Sequence, residues 1–307
     1  MKKIIAIITM AISITAFANS TILDVFKQNS KTVAIILPAA AGGLMHKYTL
    51  ELQAELGKIL NKTITIEFKP GGDGVVAAMA VANAGRGQTT FFLGGPIQNT
   101  TSVDQLNEII PVIYLGMTPG LFVYPTNKHL PYKNLKEILV ASKDRTFNYG
   151  ITASGSVNPL VQAIITKYGN SKNFQEIPYK SGHQVVLDTI GGHVDFGVFS
   201  LPTARTGIEA GKFTPLALIS AKRSHSLPNI PTLTELGISI PDESRYYYHV
   251  FLSANKNVAA EEVEKVRIGL TNYIKTPAGK DMLKRMDIIL AADQVGDPIP
   301  LMRHILR

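Results

Sequence analysis

Cysteine is absent from the 307-residue chain, and so is tryptophan. Without cysteine there can be no disulfide framework, Cys-ligated zinc, iron–sulfur cluster or thiol nucleophile. Histidines are few, at His46, His129, His183, His193, His225, His249 and His304. None falls in an H-E-x-x-H or comparable spacing, so no metal site is expected. No G-x-G-x-x-G opens the first strand–helix unit, and Gly71-Gly72-Asp73-Gly74 lacks a P-loop lysine. Ala153-Ser154-Gly155-Ser156 lacks the flanking glycines of a nucleophile elbow, which disfavours serine hydrolase chemistry. No cofactor is called for. Charged residues are 18% of the chain and hydrophobic ones 45%, enough apolar content for a packed core and too much for wholesale disorder. Lys and Arg total 31 against 23 acidic residues, a net +8. That excess favours anionic partners, but it is scattered, so nucleic acid is not an expected one.

The start of the chain reads as a targeting segment. Lys2 and Lys3 precede an apolar run from Ile4 to Phe17, and Ala16-Phe17-Ala18 supplies the small-x-small pattern of a signal peptidase site. The run is shorter than the roughly 20 residues of a membrane span. Cleavage after Ala18 would leave Asn19 first and a net +6, from 29 basic and 23 acidic residues. No cysteine follows the site for lipid attachment. The mature protein is expected to be soluble and exported, into a bacterial periplasm.

Beyond residue 30 the pattern alternates strand and helix. Val33 to Leu37 is a β-branched run, and Met45, Tyr48, Leu52, Leu56, Ile59 and Leu60 then recur on one helical face. Ile64 to Phe68, an alanine-rich helix from Val75 to Asn83, and a strand from Phe91 to Leu93 follow. Val112–Leu115 and Leu121–Tyr124 read as two short strands separated by Gly116-Met117-Thr118-Pro119-Gly120. The rhythm then restarts with helices 135–142, 159–168, 184–190 and 202–210 and strands 147–151, 174–179, 194–199 and 216–219. Tyr246 to Leu252 reads as a last long strand, and helices 260–274 and 277–286 close the pattern, the second with Thr276 as N-cap and Pro277 at its first position. The expected fold is α/β with two lobes, each a mostly parallel sheet flanked by helices. Segments near 112–124 and 246–252 supply a two-strand hinge. The first lobe then takes residues 19–118 plus 246–307, and the second takes 119–245.

Each lobe's first well-formed strand runs into a loop of tiny residues. In an open α/β sheet, ligands bind beyond the carboxyl ends of the strands. Loops of Ala, Gly and Ser expose backbone N–H groups there, at helix N-termini where an anion is favoured. Loops 38–46 and 152–158 are therefore two candidate half-sites for carboxylate. As a pair they suit the two ends of a small diacid, with Ser154 and Ser156 adding hydroxyls. Read singly, each loop is also compatible with a tight strand-to-helix turn. Gly94, which closes the third strand, joins the candidate set. Lys180 follows a strand and either faces the cleft or is a solvated surface lysine. His46 either donates to a carboxylate or is an exposed helix-start residue.

Several ordered motifs resemble those of the Bug, or TctC-like, family of periplasmic solute receptors. Pro38-Ala39-Ala40-Ala41-Gly42-Gly43 resembles its P-F-A-A-G-G-G-T-D loop, and Lys69-Pro70-Gly71-Gly72-Asp73-Gly74 its R-P-G-A-G-G turn. Asn148-Tyr149 with Gly155-Ser156 is similar to N-Y-A-S-x-G-x-G-S. Pro178-Tyr179-Lys180 and Gly191-Gly192-His193-Val194-Asp195 resemble P-Y-K-G and G-G-x-V-D. Gly211-Lys212 resembles the family's A-G-K-L-R. Ala221-Lys222-Arg223-Ser224 and Leu227-Pro228-Asn229-Ile230-Pro231-Thr232-Leu233 follow its A-K-R-S-x-x-L-P-D-V-P-T-L. The resemblance implies a two-lobed receptor that closes over a small carboxylate and hands it to the integral-membrane permease subunits of a tripartite tricarboxylate carrier. It implies a binding protein rather than an enzyme, and the chain is expected to be a monomer. Carried over by position, the ligand loops are Ala40, Ala41, Gly42 and Gly43, and Thr152, Ser154, Gly155 and Ser156. Leu44, Met45 and His46 stand where the family has G-T-D, and loss of that Asp argues against ligands with an ammonium group. Ser181 replaces the glycine of Y-K-G, Asn158-Pro159 stands near a family histidine, and Arg307 falls about a dozen residues short of the usual last helix. A ligand receptor signalling to a sensor protein and an enzyme of small organic acids are the alternatives.

Overall fold

The computed structural model describes residues 31–71, 74–85, 88–95, 107–152, 157–179, 182–239, 246–290 and 298. The expected signal peptide lies outside them, as do Ser154, Gly155, Ser156 and Lys180.

The first sheet contains β1 (Thr32–Leu37), β2 (Thr63–Phe68), β3 (Thr90–Gly94), β4 (Ile109–Thr118) and β10 (Tyr248–Asn255), in the order β2-β1-β3-β10-β4. Helix α1 (Leu44–Leu60) links β1 to β2, and α2 (Val75–Ala82) links β2 to β3. Val33, Ile35 and Leu37 of β1 share one core with Tyr48, Leu52 and Leu56 of α1. Helices α7 (Ala260–Lys275) and α8 (Pro277–Arg285) add Val266, Leu270 and Met282 to that core. Ile36 and Phe92 face the other way, onto Ala77, Ala78 and Val81 of α2. The period of two in the strands and of about 3.6 in α1 thus sort the same apolar residues onto opposed layers. Thr276 caps α8 as its sequence suggests, accepting the Gly279 N–H at 3.1 Å.

The second sheet contains β5 (Gly120–Pro125), β6 (Phe147–Thr152), β7 (Phe174–Tyr179), β8 (Phe196–Ser200) and β9 (Phe213–Leu218), in the order β7-β6-β8-β5-β9. Helices α3 (Leu135–Ala141) and α4 (Asn158–Tyr168) cover one face. Helices α5 (Gly182–Gly191) and α6 (Leu201–Glu209) cover the other. The two-lobed α/β expectation holds. The sheets are mixed rather than mostly parallel, however. In each, the β-α-β units give two parallel pairings and the remaining strands give two antiparallel ones. Among the described residues, strands β4, β5 and β10 are not entered through a crossover helix, whereas β9 is reached from β8 through α6 and runs parallel to it on the far side of the antiparallel β5.

The hinge region also differs from the sequence reading. Gly116 does not end a strand. It has φ +105° and sits where β4 slips register against β10, so it bends a ten-residue strand that continues to Thr118. Only Pro119 separates β4 from β5. The second crossing is shorter than a strand. β10 starts at Tyr248, opposite Thr118, and pairs only within the first sheet. Tyr247 packs into the second lobe and donates to Ser220 Oγ at 3.1 Å, while Tyr248 touches the cores of both lobes.

Candidate functional site

The two lobes repeat one topology. β2-β1-β3 in the first matches β7-β6-β8 in the second, and each central strand has its two crossover helices on opposite faces. The chain therefore leaves β1 and β6 at equivalent switch points, where the strand order reverses and where open α/β sheets generally bind their ligands. Loop 38–43 follows β1 and runs into α1. Residues 153–156 follow β6, and α4 begins just beyond them, with Val157 as N-cap and Pro159 in its first turn. Thr152 is the last residue of β6, opposite Tyr179 of β7.

The first loop can be built residue by residue. Gly42 has φ +90°, a left-handed region that side chains resist, and an added Cβ there would meet nothing within 4 Å. Gly43 is the N-cap of α1 and supplies no side-chain acceptor to the first-turn N–H groups. No acidic residue sits in that first turn. Ala41 and Gly42 are exposed, and Ala40 and Gly43 are half-buried. The result is a bare, solvent-facing helix N-terminus, chemically suited to accept an anion.

Gly94 ends β3 at the same edge of the sheet. Its missing side chain serves packing, because a Cβ would fall 2.4 Å from Phe92 Cζ and 3.1 Å from Pro38 Cγ. Gly94 thus lets the start of the loop lie close to β3.

His46 is turned onto its own loop. Its Nδ1 accepts the Gly42 N–H at 2.9 Å, and its ring stands edge-on to Phe68 with centroids 5.0 Å apart. Donation to a carboxylate, one of the two expectations for this residue, is thereby left to the other ring nitrogen. With Nδ1 engaged as an acceptor, the proton is on Nε2, and only Nε2–H is left to face a ligand. Protonating Nδ1 would set donor against donor and release the loop. One neutral hydrogen bond is worth about 1 kcal/mol, or about fivefold in affinity where it preorganises a site. His46→Ala is therefore expected to weaken ligand binding about fivefold by calorimetry. An unchanged affinity would mean that the ring does not shape the loop.

The sequence reading missed Lys47. It lies half-buried in the first turn of α1 and reaches across the lobe boundary to Thr206 Oγ1 of α6, at 2.7 Å. Burial holds its ammonium below the ordinary lysine range, with the Arg205 guanidinium adding to the effect and Glu209 opposing it. Nothing local in the sequence marks this contact, since the partners are 159 residues apart. Across the second sheet, Tyr179 donates to Asp188 Oδ2 at 2.7 Å, and burial helps push its phenol up to about 12. Asp195, from the G-G-x-V-D motif, receives Lys128 at 2.8 Å and the Asn148 N–H at 2.8 Å, a structural tie rather than a cleft group. Among the described residues no cluster of three His, Asp or Glu could hold a metal ion.

Residues 49–297 match the model of the tripartite tricarboxylate transporter family receptor, TctC. The chain belongs to that family. A curated relative, the UPF0065 protein in the gbd 5'region of Cupriavidus necator, is 28% identical over 296 residues, covering 92% of this chain and 86% of its own. The fold matches solved structures with the same layout. R. palustris Rpa4515 with adipate superposes with a TM-score of 0.74 at 23% identity, covering 90% of this chain and 92% of that one. MatC from Rhodopseudomonas palustris with bound malate gives 0.72 at 18% identity, covering 90% and 95%.

Proposed function

We propose that this TctC-family protein is an exported receptor that captures a small carboxylate between its lobes and delivers it to the permease subunits of a tripartite carrier. The observation that carries the reading is the repeated switch point, with a small-residue segment of the sequence following β1 in one sheet and β6 in the other. The family membership supports it, and so do the dicarboxylates bound by the two structural relatives. In this reading the ligand contacts are the backbone of Ala40, Ala41, Gly42 and Gly43 in one lobe and Thr152, Ser154, Gly155 and Ser156 in the other, with Lys180 as a further contact. Gly94 supports the first loop, and His46 orders it. The lobes divide at 118/119 and 245/246, and the receptor acts as a monomer without catalysing a reaction. Export begins with cleavage after Ala18. No helix among the described residues is long and apolar enough to cross a membrane.

A melting series tests the class of ligand. A compound that binds only the folded state adds about 2.7 kcal/mol at 100 times its dissociation constant. One kcal/mol moves a 150–250-residue domain by roughly 2–4 °C. A rise of several degrees is expected with one or more di- or tricarboxylates, and none with sugars. A shift with a sugar and none across the acids would overturn the proposal. Intact mass of protein from the periplasmic fraction should show Asn19 first, and a mass that retains residues 1–18 would refute the export step.

A further inference from the structure

The A-K-R-S motif and the residues after α8 meet in a polar junction that ligand contact does not explain. Asp287 follows α8 in the first lobe, and its side chain is only 2% exposed. Its Oδ2 accepts from Arg205 Nη1 at 2.6 Å. Its Oδ1 accepts from Ser226 Oγ at 2.6 Å and Ser224 Oγ at 3.1 Å. All three donors belong to the second lobe, Arg205 on α6 and the two serines in the loop beyond β9. Arg205 also donates to the Arg285 carbonyl at 2.5 Å.

A carboxylate removed from water is costly unless both oxygens are matched by good donors. Here each oxygen is matched, and every matching side chain comes from across the lobe boundary. Separating the lobes would take all three donors from Asp287 together. The junction therefore favours one relative position of the lobes over its neighbours. It also connects to the candidate site. Thr206, next to Arg205, holds Lys47, and Lys47 sits in the first turn of α1 directly behind the anion loop. Contact at Asp287 thus seats α6 against the helix whose N-terminus faces the ligand.

We propose that Asp287 is an interlobe latch, a positioning residue that holds the lobes together over the bound solute and slows its escape. The proposal rests on the receptor reading for its consequence, and on the lobe contacts alone for its geometry.

The test uses the full chain. Because the protein has no cysteine, Lys58→Cys and Lys172→Cys place two spin labels, one on exposed surface of each lobe, without further engineering. Asp287→Asn keeps the side-chain shape and suits the positive φ of 50°, but it removes the charge. Without any ligand, the Asp287→Asn variant should broaden the interlabel distance distribution toward longer separations. With adipate as probe, its dissociation rate should rise tenfold or more while the association rate changes less than threefold. Ser224→Ala with Ser226→Ala should move both readouts in the same direction by less. Should Asp287→Asn fail to fold, Arg205→Gln and the double serine variant decide. Unchanged distances would overturn the latch, even if the variant melted lower, because the junction would then be a structural pin. A raised dissociation rate supports it, and an unchanged one overturns its functional half. If wild type binds no carboxylate, the receptor reading fails, and the ligand-free distances still decide whether Asp287 joins the lobes.

Discussion

Gly42→Val is expected to abolish carboxylate binding in a protein that still folds. Gly42 lies at φ +90°, and a β-branched residue forced into that region costs on the order of 1–3 kcal/mol. No atom lies within 4 Å of the position where its Cβ would go, so the substitution does not collide with the core. The strain is relieved instead by a change in the path of an exposed loop. That change turns the Gly43 N–H away from the ligand and breaks the hydrogen bond from the Gly42 N–H to His46, which orders the loop. Affinity should fall by about 100-fold or more, the size expected when charge-assisted hydrogen bonds worth about 1.5–3 kcal/mol each are lost. The melting temperature should fall only a few degrees. Gly43→Ala is the control, since its Cβ would meet only the Ala40 carbonyl at 3.8 Å, at an ordinary φ of −74°. Calorimetry on both variants checks the account. A Gly42→Val protein within threefold of wild type would contradict it.

Gly116→Ala is expected to have the opposite profile, a large loss of stability from a single methyl group. The backbone at Gly116 has φ +105°, and a Cβ would sit 2.5 Å from Ile288 Cγ2 and 2.9 Å from the Ile289 carbonyl oxygen. The neighbouring chain cannot yield easily. Met117 and Ile289 exchange backbone hydrogen bonds at 2.9 and 2.7 Å, which fixes the very segment the methyl group would displace. Backbone strain of roughly 1–3 kcal/mol and overpacking of roughly 1–3 kcal/mol act together here. Urea unfolding should show a loss of about 2–6 kcal/mol. A loss below about 1 kcal/mol would mean that residues 287–290 are not anchored as described.

Much of the β-α-β portion of each lobe was legible in the residues. Val33–Leu37, the helical face from Met45 to Leu60, and Ile64–Phe68 each carry a clear period, and the structure places their elements within a residue or two. The antiparallel half of each sheet was not legible in this way. Among the described residues, strands β4, β5 and β10 are not entered through a helix that would betray their direction, and their partners lie far along the chain. Gly116 and Tyr246 show the same limit. Glycine followed closely by proline reads as a turn, yet here the glycine only bends a paired strand. Three consecutive tyrosines read as strand, yet only Tyr248 joins the ladder. The strand-to-helix connection at 38–43 was legible because tiny residues after a strand have a direct physical meaning. Lys47, Arg205 and Asp287 were not, because Asp287 meets its partners only when two lobes fold and meet, 82 residues apart in the case of Arg205. His46 lies in the first turn of α1 against the loop, and the orientation of its ring depends on Gly42 and on Phe68 from the next strand.

The most direct test of the central claim watches the backbone amides themselves. Protein labelled with ¹⁵N-glycine, freed of any co-purified ligand, is titrated with adipate and with malate in separate series. The account predicts that the Gly43 and Gly155 amide protons move downfield together, with one saturation curve, as they begin to donate to carboxylate oxygens, while the Gly42 N–H keeps its bond to His46. Saturable binding of either acid that leaves the Gly43 and Gly155 amides unmoved would contradict it.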